Sequence, residues 1–379
     1  MACGWPLGTR SEQGPRGQPG APAHTAATRR ELGRGVRRGL AGSQGRRRHA
    51  AVGTRSRHLL AGDRATAYSG GYMASNWNGH TVVITGSSSG IGRETALRFA
   101  AGGARIVLHG RNEEKLKAVD ERVREVAAGV ARGSGASQGE GGDYGPAAGK
   151  GAADRTAPGT AAAGESEHPQ IVTGDISEPS TSKKLAEAAE KLGGATVLIN
   201  NAGMSMRGAF GDVSPKVFSE VCETNVVGSA LATQALYEQL IAHRGSVVFV
   251  SSVAGMSGFP GVSIYAAAKM ALSGLAESLR AELFGTGVHV GVIHLGFTEN
   301  DPDKRILAAD GSPASLTRKS DMSQADAAAA VERMVLRRKE RVVLTAKGHL
   351  LSLVQRVSPR IATAIIRRTG GTIHKGQWS

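Results

Sequence analysis

Cysteine is nearly absent: only Cys3 and Cys222 occur in 379 residues, which excludes a disulfide framework and a cysteine-rich metal site. A reducing, cytoplasmic setting is therefore expected. There is no run of 18 apolar residues, which argues against a conventional membrane-spanning helix. Histidines at ligand spacing are lacking too. His109 and His294 fall on separate strand-like runs without partners, so core or edge histidines are expected and no metal site is proposed. Residues 1–72 contain no lysine and only three acids, Glu12, Glu31 and Asp63, against 13 arginines. They lack the aromatic interleaving and the recognisable domain that nucleic-acid binding requires, so no nucleic-acid partner is expected.

The formal charge of +15 is concentrated in this head, which supplies +10 and leaves +5 for the rest of the chain. The 53 glycines are also uneven, much of them lying in about 1–76 and 129–168, where no apolar periodicity could build a core. Residues 1–76 are thus expected to be a disordered basic segment. It is Arg-rich and acid-poor like an organellar transit peptide, but Gly and Pro interrupt any amphipathic helix. Met73 stands just before the first strand, so the expectation is a dispensable head that the mature protein can lack. The stretch at about 129–168 reads as a flexible surface insertion, too long and too poor in large apolar residues for an ordinary connection.

From His80 onward, short β-branched runs alternate with helical stretches, the pattern of a parallel sheet covered by helices on both faces. Strands are predicted at 81–85, 104–109, 170–173, 196–200, 246–251, 288–294 and 341–345. Helices are predicted near 91–101, 112–128, 180–192, 215–243, 263–284 and 323–338. The fold class is α/β, a doubly wound sheet of about seven parallel strands in a single domain spanning 77–345. A basic amphipathic tail follows at 346–379, where Leu350, Val354, Val357, Ile361 and Ile365 recur at helical spacing among Arg356, Arg360, Arg367 and Arg368, with a break at Pro359. Such a tail suits either peripheral contact with an anionic membrane or cover for a cleft or subunit interface of the same protein.

The first strand runs directly into TGSSSGIG, Thr85 to Gly92, which opens a helix. Gly86, Gly90 and Gly92 permit a tight turn, close approach of a pyrophosphate and close helix packing, and the helix N-terminus offers free N–H groups to an anion. The second strand ends in IVLHGRN, where Gly110 stands in place of the acid that would accept the ribose 2′-OH of NAD. Arg111 beside it can bind a 2′-phosphate in bidentate fashion, so NADP(H) is favoured over NAD(H), although a plain exposed arginine fits the same turn.

YAAAK puts Tyr265 and Lys269 four residues apart on one helix face, at the margin of an apolar stripe of Ala268, Leu272, Leu275 and Leu279. A phenol with an ordinary pKa of about 10 serves as a proton donor near neutrality only if a cation stabilises its ionised form.

The GxxxGxG spacing, NNAG at Asn200 to Gly203, Asn225, Ser252 and YAAAK, in that order, resemble the short-chain dehydrogenase/reductase family over about residues 79–345 without the insertion. The resemblance implies a Rossmann-like fold and hydride transfer between a nicotinamide cofactor and a carbonyl or secondary alcohol. It implies a catalytic set of Asn225, Ser252, Tyr265 and Lys269, with Ser252 placed 13 residues before Tyr265 and Ser251 the competing candidate. Cofactor contacts are implied at Thr85, Gly86, Ser88, Gly90, Ile91, Gly92, Arg111, Asp175, Ile176, Asn201, Ala202 and Gly203, as well as Tyr265 and Lys269. Asp175 also reads as a helix-capping residue. The chain departs from the family at HLGFTEND, where Leu295 replaces the usual Pro and Thr298 comes early, with Asn300 at the usual distance. Substrate choice would rest with about 296–322. A homodimer or homotetramer is implied through helices 215–243 and 263–284. The competing function is a dinucleotide-binding sensor or scaffold that turns nothing over, against which the presence of Tyr265 and Lys269 together argues.

Overall fold

The computed structural model describes residues 75–133, 169–315 and 319–370, all within one unit of the chain, Ala67–Ser379. The expectations for the head before residue 75 and for the insertion from 134 onward lie outside the described residues.

Seven strands form one parallel sheet: β1 Thr81–Ile84, β2 Arg105–Gly110, β3 Gln170–Thr173, β4 Val197–Asn200, β6 Ser246–Ser252, β7 His289–Leu295 and β10 Arg341–Val343. Their order is β10-β7-β6-β4-β1-β2-β3. The chain works outward from β1 to β3, then returns to the other side of β1. This reversal opens a crevice at the carboxyl ends of β1 and β4, where ligands of doubly wound sheets bind. Near-continuous apolar runs such as Val247 to Val250 give strands buried on both faces. Pleating sends Val82 and Ile84 to one side and Val83 to the other. The first side is covered by α1 Gly90–Ala101, α2 Glu113–Gly133 and α8 Gln324–Leu336, through Leu97, Phe99, Leu116, Val331 and Met334. The second is covered by α3 Pro179–Lys191, α5 Gly228–Ala235 and α7 Ser263–Glu282, through Leu185, Ala232, Leu272 and Ala276.

Several boundaries differ from the sequence reading, each for a local reason. Packing begins before residue 77: Glu332, buried on α8, accepts from the Trp77 indole N–H at 2.9 Å and the Ser75 backbone N–H at 3.3 Å, and pairs with Arg98. The helix expected over 215–243 is α4 Pro215–Cys222, a π-helical turn Glu223–Val227, α5, and α6 Tyr237–Ala242. Asn225 causes the first interruption, its amide donating to the carbonyls of Val221 at 2.8 Å and Met204 at 2.9 Å. The strand expected to reach Thr345 stops at Val343. Thr345 has φ 78° and accepts from the Gly348 N–H, capping α9 Ala346–Val357. A second helix, α10 Pro359–Gly370, follows, Pro359 standing at its start where its missing N–H costs nothing. A small sheet of β5 Met206–Arg207, β8 Arg305–Ala308 and β9 Pro313–Ser315 was not anticipated, because strands of two to four residues leave no readable period.

Candidate active site

A cleft of about 760 Å³ opens at the carboxyl edge of the sheet, with the glycine-rich turn at one end and the Tyr265 helix at the other. Gly86 and Gly90 hold φ of 67° and 59°, the left-handed region that glycine tolerates. A Cβ on Gly86 would meet the Ala202 backbone at 2.8 Å, and one on Gly92 would meet the Gly86 carbonyl at 2.3 Å. The turn is therefore fixed by close backbone contact.

Thr85 and the NNAG segment lock that turn to β4. The Thr85 hydroxyl oxygen accepts from the N–H groups of Asn201 and Ala202, both at 3.0 Å, and the Asn201 amide donates to the carbonyls of Thr85 and Gly86, both at 3.0 Å. Thr85 and Gly92 stand behind the cleft wall, while Gly86, Ser88, Gly90, Ile91, Asn201, Ala202 and Gly203 line it. Asp175 and Ile176 line it as well. Asp175 also accepts from the N–H and hydroxyl of Ser177, at 2.9 and 2.7 Å; burial raises its pKa, but these bonds outweigh that and hold it below the ordinary value. It does not cap α3, whose N-cap is Glu178; its bonds to Ser177 close a turn two residues before the helix.

Sequence reasoning passed over His109 and Ser87. The His109 Nδ1 accepts from the Gly86 N–H at 3.2 Å, so the ring is neutral there, and burial pushes its pKa down to about 4. Ser87 is fully buried and exchanges hydrogen bonds with the His109 backbone. Alternation along β2 marks His109 as inward-facing, but nothing in the sequence says which backbone group it meets. Gly110 is more constrained than a missing acid suggests, since a Cβ there would lie 2.9 Å from the Ser88 hydroxyl. Arg111 is exposed at the cleft rim.

At the other end, successive residues of β6 point opposite ways. Ser251 is buried and donates to the Lys269 carbonyl at 3.0 Å, whereas Ser252 is partly exposed to the cleft and accepts from the Ala254 N–H at 3.2 Å. Tyr265 lines the cleft, with the Lys269 ammonium 5.8 Å from its ring centre. Lys269 is buried, donates to the Val250 carbonyl at 3.0 Å, and is pushed down to about 8 by burial and by the charge of Lys304. Asn225 does not line the cleft, but its Oδ1 is buried without a hydrogen-bond partner among the described residues. A Cβ on Gly203 would lie 2.6 Å from that oxygen and 3.2 Å from the Lys269 ammonium, so both atoms converge on the small space left by the glycine.

Leu295, where the family carries Pro, is buried in β7. Thr298 is buried and bridges to Met322, and both Thr298 and Asn300 line the cleft. Among the described residues no three metal-ligating side chains converge.

A glycine-rich turn and a Ser, Tyr and Lys group along one cleft, on the switch point of a doubly wound sheet, make up an α/β protein of the dehydrogenase type. The family described as short chain dehydrogenase matches residues 80–133 and 149–310, and the chain belongs to it. The chain is similar to dehydrogenase/reductase SDR family member 7B of Bos taurus, 38% identical over 233 residues, which are 61% of this chain and 62% of that protein. It is also similar to the protein of the same name from Danio rerio, 32% identical over 273 residues, 70% of this chain and 77% of that one. The chain thus spans about three fifths of the length of the cattle relative. Among solved structures, a short-chain dehydrogenase from Streptomyces avermitilis shares the fold, with a TM-score of 0.55 at 22% identity, covering 76% of this chain and 97% of that one.

Proposed function

We propose that the chain is an NADP(H)-dependent oxidoreductase that interconverts a carbonyl and a secondary alcohol. The observation that carries this reading is the placing of Ser252, Tyr265 and buried Lys269 along the same cleft as the glycine-rich turn. That turn fits a dinucleotide: Gly86 and Gly92 leave no room for side chains, Gly90 has a left-handed φ that favours glycine, and α1 presents its N-terminus to the cleft.

When bound, the nicotinamide gives or takes the hydride. The chain's own residues handle the oxygen and its proton. The Ser252 hydroxyl donates to the substrate oxygen, and Tyr265 passes its proton to that oxygen as negative charge develops there. The charge of Lys269 favours the phenolate that Tyr265 leaves behind. Lys269 holds its own proton loosely, with a pKa of about 8, and the unpartnered Asn225 Oδ1 is placed to hold a proton carrier beside it.

The preference for NADP(H) rests on Arg111 at the rim and on Gly110, where the Ser88 hydroxyl leaves no space for the acid that would repel a 2′-phosphate. The molecule is proposed to be cytoplasmic and to form a homodimer or homotetramer through the helices after Ser214 and α7. Peripheral membrane contact is assigned to α9 and α10. Leu350, Leu353, Val357, Ile361 and Ile365 are exposed there, and no acid follows Glu340.

Purified protein screened with NADPH against a panel of small carbonyl compounds tests the reading. NADPH oxidation coupled to alcohol formation, with a preference for NADPH over NADH that Arg111→Asp removes, is the expected result. Tight dinucleotide binding with no turnover across the panel would support a sensor instead.

A further inference from the structure

The segment after β7 carries a carboxylate into the place the turn reserves for phosphate. Asp301 Oδ2 accepts from the Gly90 N–H at 2.9 Å, and Gly90 is the first residue of α1. The same carboxylate takes two bonds from the Arg93 guanidinium, at 3.3 and 3.2 Å, and one from the Gln324 amide at 3.0 Å. Burial pushes the Asp301 carboxyl up, but Gln324, the Arg93 charge and the Gly90 N–H outweigh it and keep the group ionised. Two residues on, Asp303 pairs with Lys115 in the first turn of α2, and Lys304 lines the cleft between them. The Asp303 pair is largely exposed and contributes little. Asp301 is the latch.

We infer that Asp301 is an internal competitor of the cofactor: its carboxylate caps the α1 N-terminus while the cleft is empty, and a dinucleotide must displace it to seat its pyrophosphate. This rests on the functional reading above, which puts the pyrophosphate at that turn. Both anions want the same N–H and the same positive helix end, and the site cannot hold both unscreened. The displaced stretch is bounded by Glu299, whose N–H is held by the Met322 carbonyl, and by Arg305, where β8 begins, so release moves Asn300 to Lys304 and little else. Lys304, whose charge reaches Lys269, lines the same cleft, so the substrate pocket takes its working shape after the cofactor arrives. Cofactor binds first, substrate second.

The prediction is an affinity gained by deleting a partly buried contact. If the latch is closed in about nine molecules of ten, the apparent Kd is weakened by about tenfold, and opening it restores that factor. NADPH binding is measured by calorimetry without substrate for wild type, Asp301→Asn, Asp301→Ala and Glu299→Gln. Asp301→Asn keeps the side-chain shape, so the test survives if the alanine variant folds poorly. Glu299→Gln removes one exposed negative charge from the same segment and controls for the general field. Both Asp301 variants should bind NADPH about tenfold more tightly, with Glu299→Gln within about twofold of wild type. Binding by an Asp301 variant where wild type shows none also supports the latch. If wild type binds and the Asp301 variants bind no tighter, or Glu299→Gln gains as much, the latch is overturned while the functional reading stands. If none of the four binds, both fall.

Discussion

Helix α7 and the α9–α10 pair are made of the same materials, apolar side chains at helical spacing beside basic ones, and they end up in opposite situations. In α7 the row Ala268, Leu272, Ala276 and Leu279 is buried against β6 and β7, and even Lys269 is drawn inside. In the tail the row Leu350, Leu353, Val357, Ile361 and Ile365 is 45–76% exposed, and only Ala362 and Ile366 are buried among the described large and small apolar residues of α10. Periodicity tells that a helix has two faces. It does not tell what covers the apolar one. In α7 the cover is the sheet, and burial is what lowers the Lys269 pKa. In the tail nothing described covers the row, which marks it as a contact surface.

The sharpest test of the α7 side is Tyr265→Phe, which deletes one hydroxyl at the margin of the buried row. Turnover should fall by at least about 100-fold, the usual share of general acid catalysis, with NADPH affinity unchanged by calorimetry. A loss of less than about tenfold would remove Tyr265 from the mechanism.

Next in size is a matched pair of truncations. Leu272→Ala should cost about 2–5 kcal/mol in urea unfolding, because it leaves a cavity between α7 and the sheet. Leu353→Ala should stay within about 0.5 kcal/mol, as exposed positions do. Equal costs would mean that the tail row is packed in solution, and the contrast between the two regions would disappear.

The pH dependence of stability examines the buried lysine. Burial lowers the Lys269 pKa from 10.5 to about 8. Between those values the unfolded chain keeps a proton that the folded chain has released, so wild-type stability relative to Lys269→Met should rise with pH across that window. The gain should reach at most about 3 kcal/mol, and no relative change is expected below pH 8, where both states are protonated. A flat difference between the two proteins across the window would show that Lys269 is not buried as a cation.

The smallest expected effect is on the tail. Leu353→Glu with Ile361→Glu should leave the thermal midpoint unchanged and reduce sedimentation with anionic vesicles by about tenfold. Unchanged vesicle binding would end the membrane reading and leave a protein partner or a second subunit as the cover.

Much of this site was legible because its parts are local. A strand followed by TGSSSGIG can hardly do anything but present a helix N-terminus at a sheet edge, and Tyr265 and Lys269 share a face by helical spacing alone. That Ser251 and Ser252 face opposite ways follows from the alternation of β6 alone. What escaped was assembled from distant parts. The Gly86 N–H to His109 contact joins the turn after β1 to β2, and the Asp301 latch joins Gly90 to a residue 211 positions away, with no pattern in between. The three short strands of the small sheet and the π-helical turn at Asn225 are departures of a residue or two, below what periodicity resolves.

That turn has a consequence of a genetic kind. A π-helical turn within an α-helix amounts to one surplus residue, and here the Asn225 amide fills the Val221 carbonyl that the turn frees. Loss of the codon for Glu223, Thr224, Val226 or Val227 would let α4 and α5 merge into one regular helix and turn one against the other by about 100°, the rotation of a single residue. Asn225 would then leave Met204 and Gly203 even though its own codon survived. The site thus depends on a length as well as on letters, and an in-frame deletion here should disable it as surely as a missense change at Tyr265.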